Sequence, residues 1–224
     1  MPTVLLTGAS RGLGLEFTRQ YAREGWRVIA TCRDPRKAEA LRGVAGTVEM
    51  HALDVADFPA VERFGEKLRG ETIDLLIANA GINPLRTMTV EHIDGDGWAE
   101  TFRVNAMAPL ATAGALRGSL ARAAGAKAIA ISSRMGSIAA NEGGHYAYRS
   151  SKAALNMVWN CFARENPALI AVVLHPGWVS TDMGGASAPV KPTDSVAGMR
   201  KVIAGLTAKD SGGFFAYDGE KLPW

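Results

Sequence analysis

Hydrophobic residues along this chain occur in short runs that alternate with longer amphipathic stretches. The runs are mostly apolar at consecutive positions, which is typical of strands that are buried on both faces of a sheet. The runs predict strands at residues 4–6, 28–30, 48–50, 75–78, 128–131 and 170–174, with a seventh candidate at 214–216. The stretches between them predict helices over residues 12–24, 35–42, 57–69, 97–123, 145–165 and 193–207.

This alternation indicates the fold class. Strands that alternate with helices form a parallel sheet with helices on both faces. We therefore expect an α/β, doubly wound (Rossmann) fold with three layers and about seven mostly parallel strands. No linker divides the 224 residues, so we expect one domain over residues 1–224.

Composition and charge exclude several classes of protein. A 47% apolar and 21% charged composition is that of a folded globular chain. The net charge of +3 is not concentrated in a long basic run, so we expect no nucleic-acid partner. Cys32 and Cys161 show neither metal-type spacing nor a disulfide framework. With no signal peptide and no apolar run long enough for a membrane span, we expect a cytoplasmic protein without membrane or metal.

A glycine-rich turn follows the first predicted strand and opens the first predicted helix. Gly8 permits a sharp turn, Gly12 lets the backbone approach a pyrophosphate, and Gly14 allows close packing of helix on strand. Free N–H groups and the helix dipole would then hold the phosphates of a dinucleotide, whereas the alternative is a turn without a ligand. The predicted phosphate-binding turn comprises Gly8, Ser10, Arg11, Gly12, Leu13 and Gly14.

Candidate acid–base chemistry lies further along the chain. Tyr148 and Lys152 are four residues apart and share one face of a predicted helix. An ammonium group near a phenol lowers the phenol pKa, as a general acid/base near neutral pH requires. The pair could also be a solvated helix face. Asn105 precedes Pro109 by four residues, so the carbonyl of residue 105 loses a helical donor and can hold a water, or the helix is merely kinked.

The spacing Gly-x-x-x-Gly-x-Gly after Thr7, together with Tyr148 and Lys152, resembles the short-chain dehydrogenase/reductase family along nearly the whole chain. Residues 148–156 and the tail 217–224 resemble its C-factor and sniffer-like branch. The resemblance implies that Ser133 binds the substrate carbonyl, with Ser132 the less favoured candidate, and that Asn105 anchors a water chain to Lys152.

The resemblance also implies contacts with a nicotinamide dinucleotide. Residues after the third strand would contact adenine, those after the fourth strand the adenosine ribose, and those after the sixth strand the nicotinamide and its carboxamide. The implied contacts are Asp54, Val55, Asn79, Ala80, Gly81, Tyr148, Lys152, Pro176, Gly177, Val179 and Thr181.

The end of the second strand bears on the choice of cofactor. NAD enzymes usually place an acid there to bind the ribose 2′-hydroxyl. Here Arg33 follows Cys32, and Arg11 lies in the glycine turn, so two guanidinium groups favour a 2′-phosphate. We expect NADP(H) to be preferred and NAD(H) to be accepted less well. Arg33 could instead be a solvated surface residue, and Asp34 would favour NAD(H) if the strand ran further.

These features together predict an enzyme. We expect an NADP-dependent oxidoreductase that transfers hydride between the cofactor and a ketone or aldehyde, or the reverse from an alcohol, with Tyr148 as general acid/base. The alternative is a signalling or regulatory protein of the C-factor type that senses the dinucleotide with little turnover. The helices at 97–123 and 145–165 contain many small residues, and the resemblance implies a homo-oligomer, a dimer or a tetramer, that pairs through them. The alternative is that the small residues serve ordinary packing of helix on sheet. The segments 134–146 and 182–194 would build the substrate pocket.

Overall fold

The computed structural model describes residues 1–224 and contains one seven-stranded sheet of order β3-β2-β1-β4-β5-β6-β7. All six strand pairings are parallel. The expected doubly wound fold is therefore confirmed, with every strand parallel rather than most. The strands are β1 (Thr3–Thr7), β2 (Arg27–Cys32), β3 (Val48–Ala52), β4 (Leu75–Ala78), β5 (Lys127–Ile131), β6 (Ile170–His175) and β7 (Phe214–Ala216).

Helices cover both faces of this sheet and make the three layers. Neighbouring positions of β1 point to opposite sides, so that Leu5 and Leu6, both almost fully buried, belong to different hydrophobic clusters. The Leu5 cluster is completed by α3, α5 and α7, and the Leu6 cluster by α1, α2 and α8. The helices are α1 (Gly12–Arg23), α2 (Glu39–Arg42), α3 (Phe58–Lys67), α4 (Gly95–Phe102), α5 (Ala108–Ala115), α6 (Arg117–Leu120), α7 (Tyr146–Glu165) and α8 (Pro192–Gly205).

Two predicted helices are subdivided in the structure. The stretch expected at 97–123 consists of α4, a π-helical segment at Arg103–Met107, α5 and α6. Pro109 lies in the first turn of α5, where its missing N–H breaks the regular ladder. The stretch expected at 35–42 is a 3₁₀ turn at Pro35–Lys37 followed by the short α2. The prediction of two continuous helices was wrong because proline changes the local hydrogen bonding.

The order of the strands places a cleft at one edge of the sheet. The chain builds outward from β1 to β3, then returns to pair β4 against the free side of β1 and builds in the other direction. The connections after β1 and β4 therefore leave on opposite faces, and a crevice opens between them at the carboxyl ends.

No helix is both long and apolar enough to cross a membrane.

The two edge strands, β7 and β3, differ in what lies along them. The C-terminal tail folds back on β7, where Ala216 N–H donates to the Glu220 carbonyl and Leu222 N–H donates to the Phe214 carbonyl, both at 2.8 Å. At the other end, β3 carries Glu49, whose carboxylate accepts a hydrogen bond of 2.6 Å from Arg27 on β2.

A glycine at the crossing of α3 and α5 provides a test of the packing. A Cβ atom at Gly65 would lie 2.5 Å from the Ala115 carbonyl oxygen, whereas one at Gly114 meets nothing within 4 Å. We expect Gly65→Ala to lower the free energy of unfolding by about 1–3 kcal/mol through overpacking. Gly114→Ala, the matched control, should raise it by up to about 1 kcal/mol. Urea unfolding of both variants measures this, and equal stability of the two would contradict the described packing.

Candidate active site

A cleft of about 530 Å³ opens at the carboxyl ends of the central strands. Its walls come from the glycine turn, the ends of β2 to β6, the loop after β4 and the segment that follows β6. Most of the predicted site residues meet there, although Gly14, Asn105, Ser133, Gly177 and Val179 lie behind the lining. The predicted residues that line the cleft are Gly8, Ser10, Arg11, Gly12, Leu13, Arg33, Asp54, Val55, Asn79, Ala80, Gly81, Tyr148, Lys152, Pro176 and Thr181.

The glycine turn has the shape of a phosphate cradle. Gly8 and Gly12 have φ angles of +68° and +55°, which side chains rarely adopt. A Cβ atom at Gly14 would lie 2.2 Å from the Gly8 carbonyl oxygen, so only glycine lets α1 start this close to β1. No side chain caps the first turn of α1, and its N–H groups lie at the cleft. This arrangement fits an anionic group such as a pyrophosphate.

A set of hydrogen bonds ties the glycine turn to the end of β4. The Thr7 hydroxyl accepts from the N–H groups of Asn79 and Ala80, each at 3.1 Å. The Asn79 side-chain amide donates to the carbonyl oxygens of Thr7 (2.9 Å) and Gly8 (3.2 Å). Asn79, which was expected near the adenosine ribose, thus also holds β1 and β4 together at the bottom of the cleft.

Basic residues line the end of the cleft beside β2. The strand ends at Cys32, and Arg33 faces the cleft without a carboxylate within 4 Å. Asp34 instead accepts hydrogen bonds from the N–H and the guanidinium of Arg36, within the 3₁₀ turn and away from the cleft. Arg11 forms an exposed ion pair with Asp182 at 2.9 Å. An acid is therefore absent from this end, and a guanidinium group takes its place.

Lys152 is buried at the centre of the cleft floor. Its side chain is 4% exposed, and its Nζ donates to the Ile131 carbonyl at 2.9 Å. Gly136 packs so closely on Lys152 that a Cβ atom there would lie 2.8 Å from the lysine backbone. Burial disfavours the charged ammonium and lowers its pKa to about 8.

Tyr148 is half-buried one helical turn before Lys152. Burial raises the pKa of its phenol to about 12, although the Ser133 hydroxyl and the charge of Arg86 act in the opposite direction. The Lys152 Nζ lies 5.8 Å from the centre of the Tyr148 ring. The expected lowering of the phenol pKa by Lys152 is therefore not found in the protein alone. Desolvation outweighs the neighbouring charge, and the phenol keeps its proton.

The two serines after β5 point to different partners. The Ser132 hydroxyl donates to Asn156 Oδ1 at 2.7 Å inside the protein. The Ser133 hydroxyl accepts from the Met135 N–H at 3.2 Å and lies beside the Tyr148 phenol. Ser132 lines the cleft, but its hydroxyl is bonded to Asn156, whereas Ser133 lies outside the lining with its hydroxyl beside the Tyr148 phenol.

Asn105 is fully buried in the π-helical segment. Its Oδ1 accepts from the Ile82 N–H and its Nδ2 donates to the Ile82 carbonyl, both at 2.8 Å, and Nδ2 also donates to the Ser151 hydroxyl at 3.0 Å. A Cβ atom at Gly81 would lie 3.3 Å from Asn105 Oδ1 and 3.5 Å from Lys152 Nζ. The two polar groups therefore both lie against Gly81.

The segment after β6 folds over the cleft opposite the glycine turn. Thr181 Cγ2 would lie 3.6 Å from a Cβ atom at Gly12. The Thr181 hydroxyl accepts from the Gly184 N–H at 3.2 Å, and Val179 is buried behind it. The Ser195 hydroxyl donates to the Pro176 carbonyl at 2.6 Å and fixes the start of the segment.

Sequence reasoning missed Arg86 and Glu100, which line the cleft and come from the region after β4. Asp182 and Met183 also line it and lie in the segment 182–194 that was expected to build the substrate pocket, although the ion pair between Asp182 and Arg11 was not expected. The Arg86 Nη2 group donates a hydrogen bond to the Met183 carbonyl and so links the loop after β4 with the segment after β6. No periodicity or motif marks an isolated arginine in a loop, so only the tertiary structure reveals it.

Other candidate chemistry does not assemble at this site. Burial lowers the pKa of His175 to about 4, with the charge of Arg134 acting in the same direction, so this imidazole is neutral near pH 7. No group of three or more His, Cys, Asp or Glu side chains is placed to hold a metal ion.

Comparisons with known proteins agree with this geometry. The family model described as short chain dehydrogenase matches residues 2–191. The chain belongs to the short-chain dehydrogenase family. Among its relatives, C-signal of Myxococcus xanthus is 44% identical over 155 residues, which cover 68% of this chain and 93% of that protein.

Solved structures of this family are close matches over the whole chain. The carbonyl reductase Sniffer of D. melanogaster superposes with a TM-score of 0.93 at 32% identity, covering 100% of both chains. NADPH-bound carbonyl reductase from chicken fatty liver superposes with a TM-score of 0.90 at 37% identity, covering 100% of this chain and 99% of that one. The expected class, an NAD(P)-dependent oxidoreductase of the C-factor and sniffer-like branch, is confirmed.

The burial of the Lys152 ammonium leads to a prediction about how the stability of the protein depends on pH. The pKa of Lys152 is about 8 in the folded protein and near 10.5 when exposed, so below pH 8 the charged lysine destabilises the folded state. We expect Lys152→Met to raise the free energy of unfolding at pH 7 by up to about 3 kcal/mol. This gain should shrink as the pH rises from 8 to 10.5, because the lysine is then neutral in both states.

Chemical unfolding across this pH range measures the effect. Lys201→Met, which alters an exposed lysine of α8, is the matched control and should show no such pH dependence. A Lys152→Met variant that is less stable than the parent protein at every pH would contradict the burial argument.

Proposed function

We propose that the protein reduces a ketone or aldehyde with NADPH, or catalyses the reverse oxidation of the alcohol. The observation that carries this proposal is that Tyr148 and Lys152 line one cleft with a glycine turn shaped for phosphates, while the Ser133 hydroxyl lies beside the Tyr148 phenol. Solved relatives described as carbonyl reductases support the same reaction class. In this proposal residues 1–224 act as one dinucleotide-binding and catalytic domain.

The residues present fit a nicotinamide dinucleotide phosphate. The glycine turn and the first turn of α1 would hold the pyrophosphate, and Arg33 with Arg11 would hold the 2′-phosphate. Asp54, Val55 and the segment 79–81 would line the adenosine side. Pro176, Gly177, Val179 and Thr181 would hold the nicotinamide end. When bound, the reduced cofactor supplies hydride to the carbonyl carbon.

The protein's own residues would manage the carbonyl oxygen. The Ser133 hydroxyl would donate a hydrogen bond to that oxygen and polarise the carbonyl. The Tyr148 phenol would give its proton to the same oxygen as negative charge develops there. The high pKa of Tyr148 agrees with this direction, because the phenol enters the reaction protonated.

Lys152 and Asn105 would support the proton transfer without contacting the carbonyl oxygen themselves. The Lys152 ammonium would hold the ribose hydroxyls and stabilise the phenolate left on Tyr148. Its pKa of about 8 lets it exchange a proton with solvent near neutral pH. Asn105, which like Lys152 lies against Gly81, would anchor the water chain that returns a proton to Lys152.

A second function is supported by one of the comparisons. C-signal, named as a signal, is 44% identical to this chain, so a regulatory protein that senses the dinucleotide with little turnover is the alternative. The two functions differ in turnover. Oxidation of NADPH with a panel of ketones and aldehydes supports the enzyme, whereas tight NADPH binding without any turnover supports the sensor. A cytoplasmic location and a homo-oligomeric state stay predictions.

Replacement of the phenol tests the proposed catalyst. We expect Tyr148→Phe to lower kcat by at least about 1,000-fold, because the carbonyl oxygen loses its proton donor, while NADPH binding stays within 3-fold. NADPH oxidation and fluorescence titration measure the two quantities. Tyr146→Phe, two residues earlier on α7 and outside the cleft, is the matched control and should keep full activity. Retained activity in Tyr148→Phe would refute the assignment.

Removal of a guanidinium group tests the cofactor preference. We expect the parent protein to use NADPH better than NADH, and Arg33→Ala to lower kcat/KM for NADPH by about 10- to 100-fold. The kcat/KM for NADH should not fall, because NADH lacks the 2′-phosphate. Arg36→Ala is the matched control, since Arg36 is 92% exposed and paired with Asp34 away from the cleft. A parent protein that prefers NADH would overturn the proposal.

A further inference from the structure

Arg86 lies on the wall of the cleft, in the loop after β4, and its charge is not neutralised. The side chain is exposed, and no carboxylate oxygen lies within 4 Å of its nitrogens. Its partners are two backbone carbonyls, those of Asn83 (3.5 Å, from Nε) and Met183 (from Nη2). Of the five N–H donors of a guanidinium, three are left to bind something else.

The acids of the cleft are committed elsewhere or lie apart from Arg86. Asp182 pairs with Arg11, and Asp54 accepts a hydrogen bond from the Ala56 N–H at 3.0 Å. Glu100 lines the cleft but forms no ion pair with Arg86. An arginine that faces a concave site without an acidic partner is available for an anion of the ligand.

Arg86 comes from a different part of the cleft wall than the two arginines beside the glycine turn. Arg11 and Arg33 follow the ends of β1 and β2, whereas Arg86 lies in the loop after β4 and reaches across to the segment after β6. Arg86 and Tyr148 line the same cleft, and the positive charge of Arg86 acts on the Tyr148 phenol. A molecule whose carbonyl lies at Tyr148 can therefore place an anionic group at Arg86.

We infer that Arg86 is a specificity-determining residue that binds a carboxylate of the carbonyl substrate, so that the preferred substrates are keto acids or aldehyde acids. This inference rests on the proposed carbonyl reduction. The backbone carbonyls of Asn83 and Met183 hold the guanidinium at a fixed place, and its free edge can grip a carboxylate with two parallel hydrogen bonds. Apolar side chains beside it, those of Ile82, Pro84 and Met183, suit an apolar substrate body.

Matched pairs of acids and esters test the inference by kinetics with NADPH. One pair is 4-carboxybenzaldehyde and methyl 4-formylbenzoate, and the shorter pair is 4-oxopentanoate and its methyl ester. In at least one pair we expect the parent protein to prefer the acid and Arg86→Leu to lower kcat/KM for the acid by about 10- to 100-fold. The kcat/KM for the ester should change by less than 3-fold, and Arg86→Lys should be intermediate for the acid.

Arg122→Leu is the matched control. Arg122 is likewise exposed and donates from Nε to a backbone carbonyl, that of Arg69, at 3.3 Å, yet it lines neither the cleft nor the segment 134–146. This variant should leave the ratio of acid to ester unchanged. Equal losses for acid and ester in Arg86→Leu, or no loss for either, would overturn the inference. A raised dissociation constant for NADPH in Arg86→Leu would also overturn it, since Arg86 would then serve the cofactor.

A binding measurement separates this inference from the proposed reaction. Calorimetry of 4-(hydroxymethyl)benzoate and its methyl ester with the NADPH-loaded protein involves no turnover, because neither the alcohol nor the reduced cofactor can accept hydride. Binding of the acid that is at least 10-fold tighter than that of the ester, and lost in Arg86→Leu, supports the anion site even if no carbonyl is reduced. Equal binding of acid and ester by the parent protein contradicts the anion site even if neutral carbonyls are reduced rapidly.

Discussion

The hydrogen bonds between the ends of β1 and β4 are the constraint on which the site depends. These two strands are the place where the order of the sheet reverses, so their following loops must separate to make a cleft. Thr7 and Asn79 join the strands at that point, through backbone and side-chain groups of both. The same bonds also shape the turn at Gly8. They therefore hold the part of the cleft that would receive phosphates together with the start of the loop that leads to Arg86.

Burial, rather than pairing of opposite charges, determines the protonation of the catalytic candidates. Desolvation raises the pKa of Tyr148 to about 12 and lowers that of Lys152 to about 8, so both shifts favour neutral groups. The phenol is thus a proton donor at rest, and the lysine is close to giving up its charge.

The sequence allowed the fold to be predicted because apolar runs and turn glycines are local signals. The parallel sheet, the helix that carries Tyr148 and the turn at Gly8 all follow from such signals. Pro109 predicted a disturbed helix at Asn105, although not that the disturbance takes the form of a π-helical segment. The raised phenol pKa was not predicted, because it depends on burial in three dimensions. Arg86 was missed for the same reason, because its importance comes only from what lies opposite it.

The two edges of the sheet determine whether strands of separate molecules can pair with each other. A strand with a free edge is a template on which another chain can add a strand. Here the tail that returns along β7 occupies one edge, and β3 presents a charged residue, Glu49, at the other. Continuous growth of the sheet from molecule to molecule is therefore disfavoured, and the protein is protected against strand-mediated aggregation even though its central strands are among its most apolar segments.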